Sequence, residues 1–384
     1  MTFIINANIQ TMADKTFHNG VIQIRDGKIV FIGEQHVIPE GAPIIDAKGA
    51  LVTPGLIDVH THIGIDEEGV GWEGDDFNET SEAVTPHVRA LDGMNSFDQG
   101  FFDAARSGVT AIQVLPGSAN VIGGLTASLK VKIGRTADEL VIQNPSGLKI
   151  AFGENPKRIH GKAGKAPVTR MGVASLLRDQ LVKAQTYMEK REKGQCDRDL
   201  RLEALTLVLK REIPVRAHTH RADDIMTAIR IAKEFNLKLS IEHATEGHKV
   251  AQQLAASGVS VTIGPTLSSR SKVELKEIGW ETYKVLSDVG IEFAMITDHP
   301  IIPINYLTTS ARMAIREGLD EMAAWRSLTI NPATIVGVQE RLGTLEVGKD
   351  ADLVIWEDNP ITSDGRPYLT MVDGDITYES PLFK

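Results

Sequence analysis

The chain of 384 residues contains a single cysteine, Cys196, inside the charged stretch Lys190-Arg-Glu-Lys-Gly-Gln-Cys-Asp-Arg198. One thiol cannot close an internal disulfide, and the expected location is the reducing cytoplasm. No apolar run approaches the about 20 residues of a membrane span, and the start Met1-Thr-Phe-Ile-Ile-Asn has neither the basic nor the longer apolar region of a secretion signal. Basic residues are also short: 41 Lys and Arg stand against 51 Asp and Glu, a formal net charge of −10 with a pI near 5.6. That balance argues against binding a phosphate backbone. There is no internal repeat beyond a strand-helix unit, and the one linker-like segment is the Lys- and Gly-rich Lys157 to Lys165.

What the chain does have is histidine at the ends of apolar runs. Leu51-Val-Thr-Pro-Gly-Leu-Ile-Asp-Val-His-Thr-His62 ends on His60 and His62. In a strand, residues i and i+2 face the same side, so both imidazoles aim at one point, and that point suits a divalent metal. Pro214-Val-Arg-Ala-His218-Thr-His220 repeats the device, Leu239-Ser-Ile-Glu-His243 ends on one histidine, and Ile291-Glu-Phe-Ala-Met-Ile-Thr-Asp298-His299 ends on an aspartate. Helical patterns follow, as in Ala222 to Phe235 and Gly247 to Ala256, with apolar residues at i, i+3, i+4 and i+7. A strand-ligand-helix unit recurring over about 280 residues predicts an α/β fold, a (β/α)8 TIM barrel with its chemistry at the C-terminal strand ends. A doubly wound sheet would instead gather its ligands at one crevice.

Both ends of the chain read as hairpins. Residues 20 to 32 alternate about an Asp-Gly turn, and Leu369 to Tyr378 do the same. If the termini meet, the two hairpins form a small β-sandwich. The expected division is 1–53 and 341–384 for that sandwich and 54–340 for the barrel.

The ordered set Pro54-Gly-Leu-Ile-Asp-Val-His-Thr-His62, His218, His243 and Asp298 within Ile-Thr-Asp-His-Pro300 resembles the amidohydrolase superfamily, in particular its imidazolonepropionase-like and prolidase-like branch. The resemblance covers nearly the whole chain. It implies a hydrolase in which His60, His62, His218 and His243 hold one or two divalent cations, most simply zinc. The cation activates water, and Asp298 takes the water's proton and returns it to the leaving nitrogen. It also draws attention to the fourth strand, Leu148-Lys-Ile-Ala-Phe-Gly-Glu154. There Lys149 matches the position of a carboxylated lysine that bridges two metals, and Glu154 matches the bridging glutamate of other members. A lysine between Leu148 and Ile150 must be neutralised, paired or carboxylated, so a Lys149–Glu154 ion pair stands as the third reading.

Substrate contacts are read from the segments around those strands. His220, two residues past His218, is a candidate for binding substrate or stabilising an oxyanion. His299 is a candidate substrate or supporting residue. Asn120 lies in Pro116-Gly-Ser-Ala-Asn-Val-Ile-Gly-Gly124, whose backbone amides would receive an anion or carbonyl at the active face. Arg158, in Asn155-Pro-Lys-Arg158, would meet a substrate carboxylate. Residues 64 to 82, rich in Asp, Glu and Gly, are expected to be a mobile roof. The expected partners are a small-molecule amide and further copies of the same chain. Deamination of a heterocycle and a non-catalytic scaffold remain as alternatives. The first would need an acid at the ring nitrogen, and retention of five ligand-type residues weighs against the second.

Overall fold

The computed structural model describes residues 1–383 and builds two eight-stranded sheets. The first contains Leu56–Thr61, Val109–Val114, Ile122–Lys130, Val141–Ala151, Val215–Thr219, Leu239–His243, Ser260–Ile263 and Phe293–Met295, each paired with its successor in the chain. Beyond the last strand the chain returns to the first. Thr61 bridges His299, His62 N donates to His299 O (2.8 Å), and Asp298 N donates to His60 O (3.1 Å). The sheet is thereby nearly closed, and the residues ending its first and last strands become neighbours.

The barrel departs from the expected repeat at one place. Ile122–Lys130 runs antiparallel to both neighbours, so no crossover helix is needed on either side of it. All nine of its residues are buried. The opposite economy appears between the fourth and fifth strands, where three helices intervene, Glu154–Lys162 and the two that follow it. Arg170–Glu192 is capped by Thr169, whose side chain accepts from Gly172 N, and Leu200–Leu209 by Asp199, which accepts from Arg201 N and Leu202 N.

The second sheet is built from both termini in the order Asp375–Glu379, Pro367–Val372, Leu353–Trp356, Leu51–Pro54, Thr2–Gln10, Thr16–Arg25 and Lys28–Gly33, with Ile44–Asp46 beside Thr2–Gln10. The two predicted hairpins are present. Their turn residues Asp26–Gly27 and Asp373–Gly374 all have positive φ, the conformation that matches the twist of the flanking strands. Leu353–Trp356 pairs with Leu51–Pro54 and joins the hairpins into one hydrogen-bonded path. Ile4, Ile22, Leu353 and Leu369 share one core across it. The sheet hands over to the barrel at Gly55, where a Cβ would fall 2.1 Å from Thr110 Oγ1; only glycine lets the chain pass the second strand this closely. Among the described residues, no helix is long and apolar enough to cross a membrane.

Candidate metal centre

At the barrel mouth the strand ends converge. His60 Nε2 and His62 Nε2 lie 3.3 and 3.2 Å from Asp298 Oδ1. Lys149, on the fourth strand, places its Nζ 3.0 Å from His60 Nε2. On the far side the rings of His218 and His220 stand 4.4 and 4.7 Å from that of His243, which is itself 4.7 Å from His60. Two sets of donor atoms result, His60/His243/Asp298 and His218/His220/His243, each mutually within 4.8 Å and sharing His243. The histidines are at most 4% exposed.

Backbone conformation and supporting hydrogen bonds aim these groups. His243, Ala244 and Asp298 have φ of 74°, 44° and 55°, the left-handed region that non-glycine residues avoid and that clusters at functional sites. His60 Nδ1 meets Glu242 Oε2 (2.8 Å), His62 Nδ1 meets Leu115 O (2.7 Å), and His243 Nδ1 meets Gly264 O (2.8 Å). Each partner only accepts, so each Nδ1 carries the proton and each Nε2 offers a lone pair inward. His220 Nδ1 is held by Thr245 Oγ1 at 2.8 Å. Nε2 of both His218 and His243 is buried without a hydrogen-bond partner. Converging imidazoles, four of them anchored at Nδ1 and two left without a partner at Nε2, beside a carboxylate, are a donor set that fits a divalent cation.

Known proteins share this frame. The model of the amidohydrolase family matches residues 51–377. The chain belongs to the amidohydrolase family. It is 30% identical to the amidohydrolase TasK of Hapsidospora irregularis over 374 residues, 90% of this chain but only 38% of that longer protein. An imidazolonepropionase of Maricaulis maris is 26% identical over 386 residues and 92% of each chain. Among solved structures, an amidohydrolase from Thermotoga maritima MSB8 superposes with a TM-score of 0.96 at 40% identity, covering 99% of this chain and 100% of that one.

Within this amidohydrolase, burial decides the protonation states. It holds His60, His218 and His220 well below the usual imidazole range, with neighbouring His and Lys charges adding to the effect, and it lowers His243 as well. Burial alone would raise Asp298, but the facing imidazoles of His243, His62 and His60 outweigh it and keep this carboxyl well below the ordinary range. Lys149 is pushed down to about 8 by burial, against the pull of Asp298 and Glu242. Asp58, whose carboxylate accepts from His60 N, Thr297 N and Thr297 Oγ1 and so ties the first strand to the last, is raised to about 7 by burial.

Several sequence expectations change here. Glu154 does not join the cluster: the chain has already turned at Gly153 (φ 86°), and Glu154 opens the helix Glu154–Lys162. It gives its backbone N–H to Glu274 Oε2 (2.9 Å), and no ion pair joins it to Lys149. The carboxylate facing the fifth-strand histidines belongs to Glu274. Its Oε1 is 3.9 Å from His218 Nε2 and 3.8 Å from His220 Nε2, with Lys272 Nζ at 2.8 Å. Asn120 is spent on the scaffold, its Oδ1 on His160 and its Nδ2 on Glu79 O and Thr85 Oγ1. The amides of that segment hold the roof rather than an anion: Gly117 N donates to Phe77 O (2.7 Å) and Ala119 N to Asn78 Oδ1 (2.9 Å). The expected mobile roof is thus pinned where Phe77 packs on His62, ring centroids 5.0 Å apart. His299 is fully buried, its Nδ1 accepting from Ile304 N, and burial lowers it to about 4; it closes the barrel instead of facing a substrate. Arg158 is exposed on its helix.

Sequence reasoning missed Glu242, Arg216, Glu274 and Asp58. Arg216 had a signal, since it stands two residues before His218 and so on the same face of the strand. Glu242 had none, because strict alternation puts it on the face opposite to His243.

Proposed function

We propose that this amidohydrolase uses one or two divalent cations, most simply zinc, to hydrolyse a non-aromatic C–N bond in a small linear or cyclic amide. The observation that carries the reading is the set of imidazoles whose acceptor-anchored Nδ1 atoms leave Nε2 directed at a shared point beside Asp298. His60, His62 and Asp298 would hold one cation, and His218 and His243, supported by His220, a second. When bound, such a cation polarises the scissile carbonyl and lowers the pKa of water from about 16 to about 7. Asp298, ionised and in reach of both strand-one histidines, accepts a proton from the attacking water and delivers it to the leaving nitrogen. Lys149 is the fourth strand's contribution. Its depressed pKa makes the neutral amine accessible, and addition of carbon dioxide to Nζ with loss of one proton gives a carbamate anion able to bridge the two positions.

The likeness to imidazolonepropionase makes cyclic amides and ureides the first substrates to test, with dipeptides and N-acyl amino acids next. Zinc-saturated protein should bind about two equivalents per chain and hydrolyse a member of one of these classes with release of a new carboxylate. Protein that takes up no metal at saturation overturns the reading. So does a protein whose sole activity is ammonia release from aminated heterocycles, which would assign it to deamination.

A further inference from the structure

A barrel interior is ordinarily filled by layers of branched apolar side chains. Directly beneath the histidines this barrel instead holds an ion pair, Arg216 and Glu242, both 0% exposed. Arg216 Nε lies 2.8 Å from Glu242 Oε1, and Arg216 Nη2 donates to Glu242 Oε2 (3.1 Å) and to Val59 O (3.0 Å). Thr262 Oγ1 donates to the same Oε2 at 2.9 Å, and His60 Nδ1 meets it at 2.8 Å. Four strands thereby converge on one carboxylate. Such a pair is a poor way to stabilise a core, since desolvating two ions offsets most of their attraction and apolar replacements of similar shape are often neutral or stabilising. Its presence calls for a role that packing does not supply.

The geometry points to Glu242 and Arg216 as positioning residues that set the tautomer and direction of the His60 ring. Oε2 accepts from three donors at once, and Arg216 Nη2 ties the carboxylate to the carbonyl of Val59, the residue preceding His60, while its Nε lies against Oε1. The His60 ring is therefore fixed from its side chain and from its own strand. With Nδ1 protonated toward Glu242, Nε2 is left as a lone pair facing Lys149 and Asp298. The other tautomer would place two hydrogens between His60 Nε2 and the Lys149 ammonium. Because His243 has φ of 74°, consecutive residues Glu242 and His243 both serve the site, one from below and one as a donor.

This inference rests on His60 being a metal ligand, and its test separates the two claims. In the full-length protein labelled at histidine nitrogen, long-range proton–nitrogen spectra should show His60 protonated at Nδ1 before any zinc is added. Finding the proton on Nε2 in that wild-type sample overturns the inference whatever any variant does. In the double variant Arg216→Met, Glu242→Met, which keeps volume and removes the acceptor, thermal stability should be retained. The Nδ1–H tautomer should be lost, and zinc affinity at one of the two positions should fall ten- to hundredfold, the usual scale for removing the partner of a ligating histidine. Glu242→Gln, which keeps one oxygen for the three donors at Oε2, should restore most of both. A double variant with the wild-type tautomer and unchanged zinc affinity reduces the pair to core packing. Wild type that binds no zinc sinks the metal reading while leaving the tautomer result to judge Glu242.

Discussion

Two buried polar clusters in this protein look alike by residue type and behave oppositely. At the barrel mouth, five histidines, Asp298 and Lys149 converge. Elsewhere in the same chain, Lys130 on the antiparallel third barrel strand reaches into the terminal sheet, its Nζ 3.0 Å from Asp350 Oδ2, 2.8 Å from Asp352 Oδ1 and 2.9 Å from Asp373 Oδ1. Those three aspartates are close enough together to hold a metal ion, but the cation they hold is an ammonium of the chain itself, with Arg341 and Lys28 also on Asp350. Counter-charge built into the sequence makes a tie between sheet and barrel. At the mouth Nε2 of both His218 and His243 is buried without a partner, so what completes the site must come from outside. The difference between a structural cluster and a functional one lies in who supplies the last partner.

The sharpest break in that contrast is removal of the outward-looking donors. His60→Ala with His62→Ala should abolish metal uptake at that position and reduce turnover to background, with the melting temperature unchanged within a few degrees. Elemental analysis and calorimetry of one sample check both, and full metal content in the variant would show that the mouth does not need these donors. The converse experiment acts on the self-satisfied cluster. Lys130→Met leaves the buried carboxylates of Asp350 and Asp352, and the half-buried one of Asp373, without their central cation and should cost about 3–5 kcal/mol in denaturant unfolding while leaving zinc content unchanged. Added calcium should recover part of that loss in the variant and none in the wild type, because the vacated position then resembles the mouth.

Smaller effects sharpen the roles within each cluster. Asp298→Asn should keep metal but lose about a hundredfold or more in kcat, since an amide can approach the centre and cannot accept the proton of water. Near-normal turnover would move the proton path to Glu274 or His220. The least effect is a pH dependence in the structural cluster. The carboxyl of Asp350 is lowered to about 2: burial opposes the shift, and Lys130, Lys28 and Arg341 overcome it. Its folded-state pKa lies below its unfolded value, so its contribution is complete above about pH 4 and is lost as the pH falls toward about 2. An acid limb of the same size in Lys130→Met as in wild type would mean that Asp350 is not the group responsible.

Much of this was legible in the residue order. The i, i+2 histidine pairs, the carboxylate ending the last apolar run and the Asp-Gly turns each follow from a local rule, namely which face a strand residue takes or which residues tolerate positive φ. Those rules place His60, His62, His218, His220, His243 and Asp298 at strand ends and form the hairpins of both termini. The antiparallel third strand was not legible, because Ile122-Gly-Gly-Leu-Thr-Ala-Ser-Leu-Lys130 mixes glycine, hydroxyl and apolar residues, and a strand pattern reads the same in either direction. The fourth strand was left ambiguous between Lys149 and Glu154 for a related reason: the position of the turn at Gly153 decides which one remains in the barrel, and sequence leaves strand ends uncertain by a few residues.

By itself, then, the sequence determined the chemical kinds available and their order along the barrel, since alternation and apolar runs are properties of neighbouring residues. Closure of the barrel decided the rest. It set Asp298 against His60 and His62 across more than two hundred residues, turned His243 to the same side as Glu242 through a left-handed backbone, and brought Arg216 and Glu274 to histidines on other segments. Such contacts depend on the distance between strands in space, which no local pattern encodes.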